Sequence, residues 1–140
     1  MRPQVRETDD APPATTILLA DDHPVIRGAI RADLEDLGYE ICGEVGDAPA
    51  AVAAAILLRP GIVLLDIDMP GNGITAAKAI SEALPQTRVV MLTVSRDPRD
   101  VTASAEAGAV GFVLKDVEPA LLDQALHAAL DGGQIVPPAR

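Results

Sequence analysis

The chain has 140 residues, 49% of them hydrophobic, and a formal net charge of -10 from 21 acidic against 11 basic side chains. That length fits one domain and leaves little room for a second, and the acidic excess repels phosphate backbones, so direct nucleic-acid binding by this chain is not expected. A single cysteine, Cys42, allows no internal disulfide and points to a reduced, cytoplasmic setting, while no apolar run approaches the ~18 to 20 residues that span a bilayer and no signal-peptide core is present.

Residues 1 to 14 are charged and proline-rich without apolar period, and read as a disordered tail. Ile17-Leu18-Leu19-Ala20 then forms a short buried strand ending at Asp21-Asp22. Pro24 suits the first turn of a helix that carries Val25, Ile26, Ile30, Leu34 and Leu37 at spacings of three and four, until Gly38 ends it. Tyr39 to Val45 reads as a second strand in which Ile41, Gly43 and Val45 alternate against Cys42 and Glu44. An alanine-rich helix from Ala48 to Leu58 follows, stopped by Arg59-Pro60-Gly61, and Ile62 to Asp66 is the most hydrophobic strand. Asn72 or Gly73 opens a helix to Leu84, Val89 to Thr93 is a fourth strand, and a weaker helix spans Pro98 to Ala107. Val110 to Leu114 leads to Lys115, and Pro119 to Leu130 is the last helix, closed by Gly132-Gly133. Residues 134–140, with Pro137-Pro138, read as the start of a linker.

Five strands alternating with five helices predict an α/β fold, a (βα)5 doubly wound five-stranded parallel sheet covered on both faces. Tyr39 and Phe112 are the only aromatic residues, so the core must be built from Ala, Val, Ile and Leu. In such sheets ligands sit outside the carboxyl ends of the strands. Asp21, Asp22, Asp66, Thr93 and Lys115 would all face that edge. Like-charged carboxylates packed there repel, and a divalent cation resolves the conflict; oxygen-only ligands suit Mg²⁺ better than zinc. A carboxylate can attack phosphorus and form an aspartyl-phosphate, with an ammonium and a hydroxyl stabilising the transferring charge.

Each residue has a plainer reading. Asp21 and Asp22 would serve as caps of the first helix, Asp66 and Thr93 as ordinary strand-end residues, Lys115 as a solvated surface lysine and Phe112 as core. Their coincidence on one sheet edge favours the joint chemical reading.

The segments Leu64-Leu65-Asp66-Ile67-Asp68-Met69-Pro70-Gly71 and Ala20-Asp21-Asp22-His23 resemble, in turn, the phosphoacceptor strand and loop and the acidic pair of the receiver domains of two-component response regulators. Met91 to Ser95 resembles their switch-threonine strand, and Ala107 to Asp116 their final strand and lysine. The motifs run in family order across residues 16–133, with wording closest to the NarL/FixJ (LuxR-type) subfamily, whose receivers carry a helix-turn-helix DNA-binding domain. The resemblance implies the flavodoxin-like strand order 2-1-3-4-5 over a receiver domain at residues 15–133. It further implies that Asp66 accepts a phosphoryl group from a sensor histidine kinase or a small phosphodonor. Asp22, Asp66 and the Asp68 backbone carbonyl would ligate Mg²⁺, Asp21 would act through water, and Lys115 would pair with the phosphoryl group. Thr93 and Phe112 would act as the switch, with a homodimer and an additional DNA-binding domain as family expectations.

Four features depart from the commoner pattern. The loop from Met69 to Gly73 is one residue shorter than usual, and Asp68 adds a carboxylate expected to slow phosphorylation by anionic donors or to alter hydrolysis. Val94 is bulkier than the usual small residue and is expected to narrow access. Asp116 replaces a proline, so no cis bond, which would cost about 2.5 to 4 kcal/mol, is expected after Lys115. Two rival readings follow from the same residues: an interaction module that works without phosphorylation, and a haloacid-dehalogenase-type phosphatase using Asp66-Ile67-Asp68. The upstream position of the acidic pair argues against the phosphatase.

Overall fold

The five apolar runs form the strands β1 (Thr16–Ala20), β2 (Glu40–Val45), β3 (Ile62–Asp66), β4 (Arg88–Thr93) and β5 (Gly111–Leu114). They alternate with α1 (Pro24–Asp36), α2 (Ala48–Leu58), α3 (Gly73–Ala83), α4 (Pro98–Glu106) and α5 (Pro119–Leu130). The computed structural model describes residues 14–132; the expected linker, and the expected tail up to residue 13, lie outside the described residues. Every strand pairing is parallel, in the order β2-β1-β3-β4-β5. The strand order changes direction at β1 and β3, so their carboxyl ends flank the crevice where doubly wound sheets bind ligands.

Local chemistry explains where the helices begin and stop. A proline occupies the first turn of α1, α2, α4 and α5, where its missing N–H costs nothing. Asp47 caps α2 by accepting the Ala50 N–H at 2.8 Å, and Asp97 caps α4 through the Arg99 N–H at 2.9 Å. Gly38 and Gly108 leave α1 and α4 with φ of 98° and 102°, a conformation that disfavours side chains with a Cβ.

Alternating strand residues feed two apolar layers. Leu18, Val63, Leu65, Val89, Met91 and Phe112 pack against α2, α3 and α4. Ile17, Leu19, Ile62, Leu64, Val90 and Val113 pack against α1 and α5. β3 is buried along its whole length, which is why it reads as an unbroken apolar run.

The simple alternation expected in β2 is interrupted. Ile17 pairs with Ile41 but Leu18 with Gly43, leaving Cys42 as a bulge residue. Cys42 therefore packs on the same layer as Val45, while Ile41 packs on the opposite one. The peptide bonds among the described residues are all trans, including that between Lys115 and Asp116.

Candidate functional site

Each group at the carboxyl edge is delivered by a strand end. Asp66 is the last residue of β3, Asp21 and Asp22 follow β1, Thr93 ends β4 and Lys115 follows β5. Asp21, Asp66 and Thr93 are buried despite their polarity. Lys115 reaches over β4 and lies between the two buried acids, its Nζ 2.9 Å from Asp21 Oδ2 and 3.1 Å from Asp66 Oδ2. Its side chain is only 6% exposed, so the plain reading of a solvated lysine fails.

Backbone amides hold the other carboxylate oxygens. Asp66 Oδ1 accepts the Asp68 N–H at 3.1 Å, and Asp21 Oδ1 accepts the His23 N–H at 2.9 Å. Neither Asp21 nor Asp22 occupies the α1 N-cap; that position is His23, whose side chain makes no cap bond. The inward oxygens, Asp21 Oδ2 and Asp66 Oδ2, have no hydrogen bond of good geometry, and the Lys115 ammonium meets them as an ion-pair partner.

These surroundings drive the two acids apart in proton affinity. For Asp66, burial pushes the carboxyl above its ordinary range, aided by the Asp21 charge, and outweighs the Asp68 amide and Lys115. For Asp21, burial pushes upward too, but the His23 amide, Lys115 and the His23 side chain together hold it below the ordinary range. Lys115 loses solvation, yet its two carboxylate partners hold its ammonium form above the usual lysine value.

Asp21, Asp22, His23 and Asp66 bring ligand-capable atoms within 4.8 Å of one another. The sequence reading overlooked His23, whose Nδ1 lies 3.1 Å from Asp22 Oδ1 and 3.3 Å from Asp21 Oδ1. Its position directly after the acidic pair was the available signal. The Asp68 side chain is exposed and stands outside this group. Asp21, Asp22 and Asp66 bring three carboxylates together while Lys115 pairs with only two of them, so a small hard cation such as Mg²⁺ fits the cluster.

The loop from Met69 to Gly73 seats the start of α3 against the end of β3. Gly71 and Asn72 both have positive φ, 86° and 72°, and the Asn72 side chain accepts the Ile74 N–H at 2.8 Å. Gly73 donates its N–H to the Ile67 carbonyl at 2.8 Å. A Cβ on Gly73 would lie 2.1 Å from the Asp66 carbonyl oxygen, so only glycine permits this approach.

Thr93 and Phe112, the residues expected to switch, make no hydrogen bond to the carboxylates. Thr93 Oγ1 accepts the Ser95 N–H at 2.9 Å, a bond within its own loop. Phe112 is buried in the layer that contains Val101 and Ala107 near α4. Val94, 70% exposed, lines a cleft of about 280 Å³ with Ile26, Arg96, Leu114, Lys115 and Asp116, so it borders the way to Lys115 without covering the acids. A larger cleft, about 540 Å³, lies at the opposite sheet edge around Gly61 and Leu84 and holds none of these groups.

Comparison with known proteins agrees with this geometry. The family model "Response regulator receiver domain" matches residues 17–127. Over 121 residues the chain is 39% identical to the uncharacterized transcriptional regulatory protein YxjL of Bacillus subtilis, covering 85% of this chain and 56% of that protein. Identity to the nitrate/nitrite response regulator protein NarP of Escherichia coli is 36% over 121 residues, with the same coverage. The chain thus spans about half the length of these curated relatives. Its fold superimposes with a TM-score of 0.84 and 34% identity on a LuxR-family two-component response regulator from Aurantimonas sp. SI85-9A1, covering 90% of this chain and 91% of that one. A family model matching most of the chain, relatives above 30% identity and a common strand order lead to one conclusion: the chain belongs to the response regulator receiver domain family.

Proposed function

We propose that Asp66 accepts a phosphoryl group from a sensor histidine kinase, within a receiver unit at residues 15–133. A carboxylate oxygen of Asp66 forms the new bond to phosphorus as the bond to the donor atom breaks, and the donor leaves with its electron pair. The observation that carries this reading is the buried Asp66 carboxylate facing the Lys115 ammonium at 3.1 Å, at the central strand end and beside the acidic pair. Lys115 supports the reading as a preformed cation beside the position where phosphoryl oxygens gain charge.

Asp22, Asp66 and the Asp68 backbone carbonyl would hold Mg²⁺ directly, with Asp21 acting through water. The ion, when bound, offsets the repulsion among carboxylates and phosphoryl oxygens. Thr93 would leave the Ser95 amide for the phosphoryl group, and Phe112 would repack beside α4, shifting a two-state element. Phe112 has no hydroxyl, so this coupling works through packing alone. The output is control of transcription through an additional DNA-binding domain, in line with the name of YxjL. Homodimerisation and a cytoplasmic location complete the proposal; among the described residues no helix is long and apolar enough to cross a membrane.

Intact-mass analysis after incubation with a small phosphodonor and Mg²⁺ tests the reading. One phosphoryl adduct is expected on the native chain and none on Asp66→Ala. An unchanged adduct on the variant removes Asp66 as acceptor, and absence of any adduct on the native chain favours the phosphorylation-independent module. The time course for Asp68→Asn should show altered adduct formation or decay; unchanged rates remove the proposed effect of Asp68.

A further inference from the structure

One charged side chain outside the carboxylate cluster touches its framework. Arg27, on α1, donates from Nη1 to the Asp21 backbone carbonyl at 2.8 Å and from Nε to Glu44 Oε1 at 3.0 Å. The Asp21 N–H in turn donates to the Val45 carbonyl at 3.0 Å. The main chain at Asp21 is therefore fixed on both sides: its amide to the edge strand β2, its carbonyl to a guanidinium anchored on that same strand. Glu44 is itself held by two arginines, Arg31 and Arg27, which keep its carboxyl below the usual range against burial.

We propose that Arg27 is a positioning residue for the acidic pair, and that its bond to the Asp21 carbonyl sets the affinity of the cluster for a divalent cation. The Asp21 carbonyl belongs to the peptide joining Asp21 to Asp22, so its orientation governs the direction of both side chains. A guanidinium suits this task because its rigid fork donates to two acceptors at once. Arg31 provides an internal comparison: it pairs with Glu44 and Glu35, and its side chain bonds do not include the Asp21 carbonyl.

The inference rests on the reading that Asp21, Asp22 and Asp66 hold Mg²⁺. It is tested by titrating Mg²⁺ into the ¹⁵N-labelled 140-residue chain while following the Asp66, Ile67 and Asp68 amides. Arg27→Gln should weaken Mg²⁺ binding about tenfold, the lower range for loss of an outer-shell partner. Arg31→Gln should stay within about twofold of the native chain, because it loses only a partly exposed ion pair. Arg27→Lys, which cannot fork to both acceptors, should fall between them at about threefold. Native affinity in Arg27→Gln overturns the proposal, and so does equal weakening in Arg27→Gln and Arg31→Gln, which would assign the effect to Glu44 alone. If Arg27→Gln does not fold, native affinity in Arg27→Lys overturns it instead. No saturable shift in the native chain would overturn the metal reading itself, a failure distinct from either of these.

Discussion

The β1–β3 side and the β4–β5 side of the carboxyl edge are built on different principles. On the first, the acids are fixed by backbone amides and a glycine in close contact with the Asp66 carbonyl, and they receive the Lys115 ammonium that reaches across from β5. On the second, Thr93 and Ser95 bond within their own loop. Ser95 Oγ also donates to Asp100 Oδ2 at 2.5 Å, tying that loop to the first turn of α4. Two hydroxyls near α4, Ser81 Oγ and Ser104 Oγ, are buried without a hydrogen-bond partner. The proposed role of Asp66 as a nucleophile would gain from the first arrangement. An element that must change place gains from the second, where local bonds can be exchanged without opening the core.

The difference is broken most severely at Gly73. Gly73→Ala places a methyl group 2.1 Å from the Asp66 carbonyl oxygen and 2.8 Å from its carbon, atoms of buried backbone that cannot step aside. We expect a loss of about 3 kcal/mol in unfolding free energy, at the upper end for overpacking, together with loss of the phosphoryl adduct. Urea denaturation and intact mass check both. Native-like stability would mean that the α3 entrance yields freely, and the contrast between the two sides would collapse.

Asp66→Asn is the next largest change, and its effect depends on pH. Burial raises the Asp66 carboxyl above its ordinary value of 3.8, so the folded state binds that proton more tightly than the unfolded one. Its ionised form therefore lowers stability above the folded pKa, and the loss is relieved as pH falls through that pKa. Asp21 has the opposite sign: its lowered pKa stabilises the fold above 3.8, and that gain is lost only as pH falls through the folded value below it. In metal-free buffer Asp66→Asn should melt higher than the native chain near neutral pH. The gap should narrow as pH approaches 4 from above. Adding Mg²⁺ should raise the native midpoint more than that of the variant. A gap that widens on acidification would reverse the assigned sign.

Much of this was legible in the residues because parallel strands leave a strong signature. Ile62 to Asp66 is short, apolar and bounded by Pro60-Gly61, and it becomes the fully buried β3 with the expected ends. Asp66 and Lys115 stood out because several apolar runs end in charged residues that a parallel sheet brings to one edge, and the fold does place the two 3.1 Å apart. The bulge at Cys42 was not legible, because strand register depends on the partner strand and not on composition. The expected Tyr39 start of β2 likewise gave way to a residue that bonds across to α5, its hydroxyl donating to Asp123 Oδ1 at 2.8 Å. Arg27 carries no motif signal; only the folded chain brings its guanidinium to the Asp21 carbonyl. The loop from Met69 to Gly73 stood out as unusual, but the close packing of Gly73 on the Asp66 backbone shows only in the fold.

The smallest effect bears on the looser side. Ser104 is buried in α4, and its hydroxyl has no hydrogen-bond partner. Replacing it with alanine removes a desolvated polar group and adds a better helix former, so Ser104→Ala should raise unfolding free energy by about 1 kcal/mol. Equilibrium urea unfolding with an unchanged m-value would measure it. If α4 moves when Asp66 is phosphorylated, that gain should belong mainly to the unphosphorylated packing. The variant would then accept phosphoryl groups normally but respond less, seen as smaller amide shifts in α4 on phosphorylation. A loss of stability instead would mean that the hydroxyl is satisfied by a bound water, and that the α4 side is as firmly bonded as the acid side.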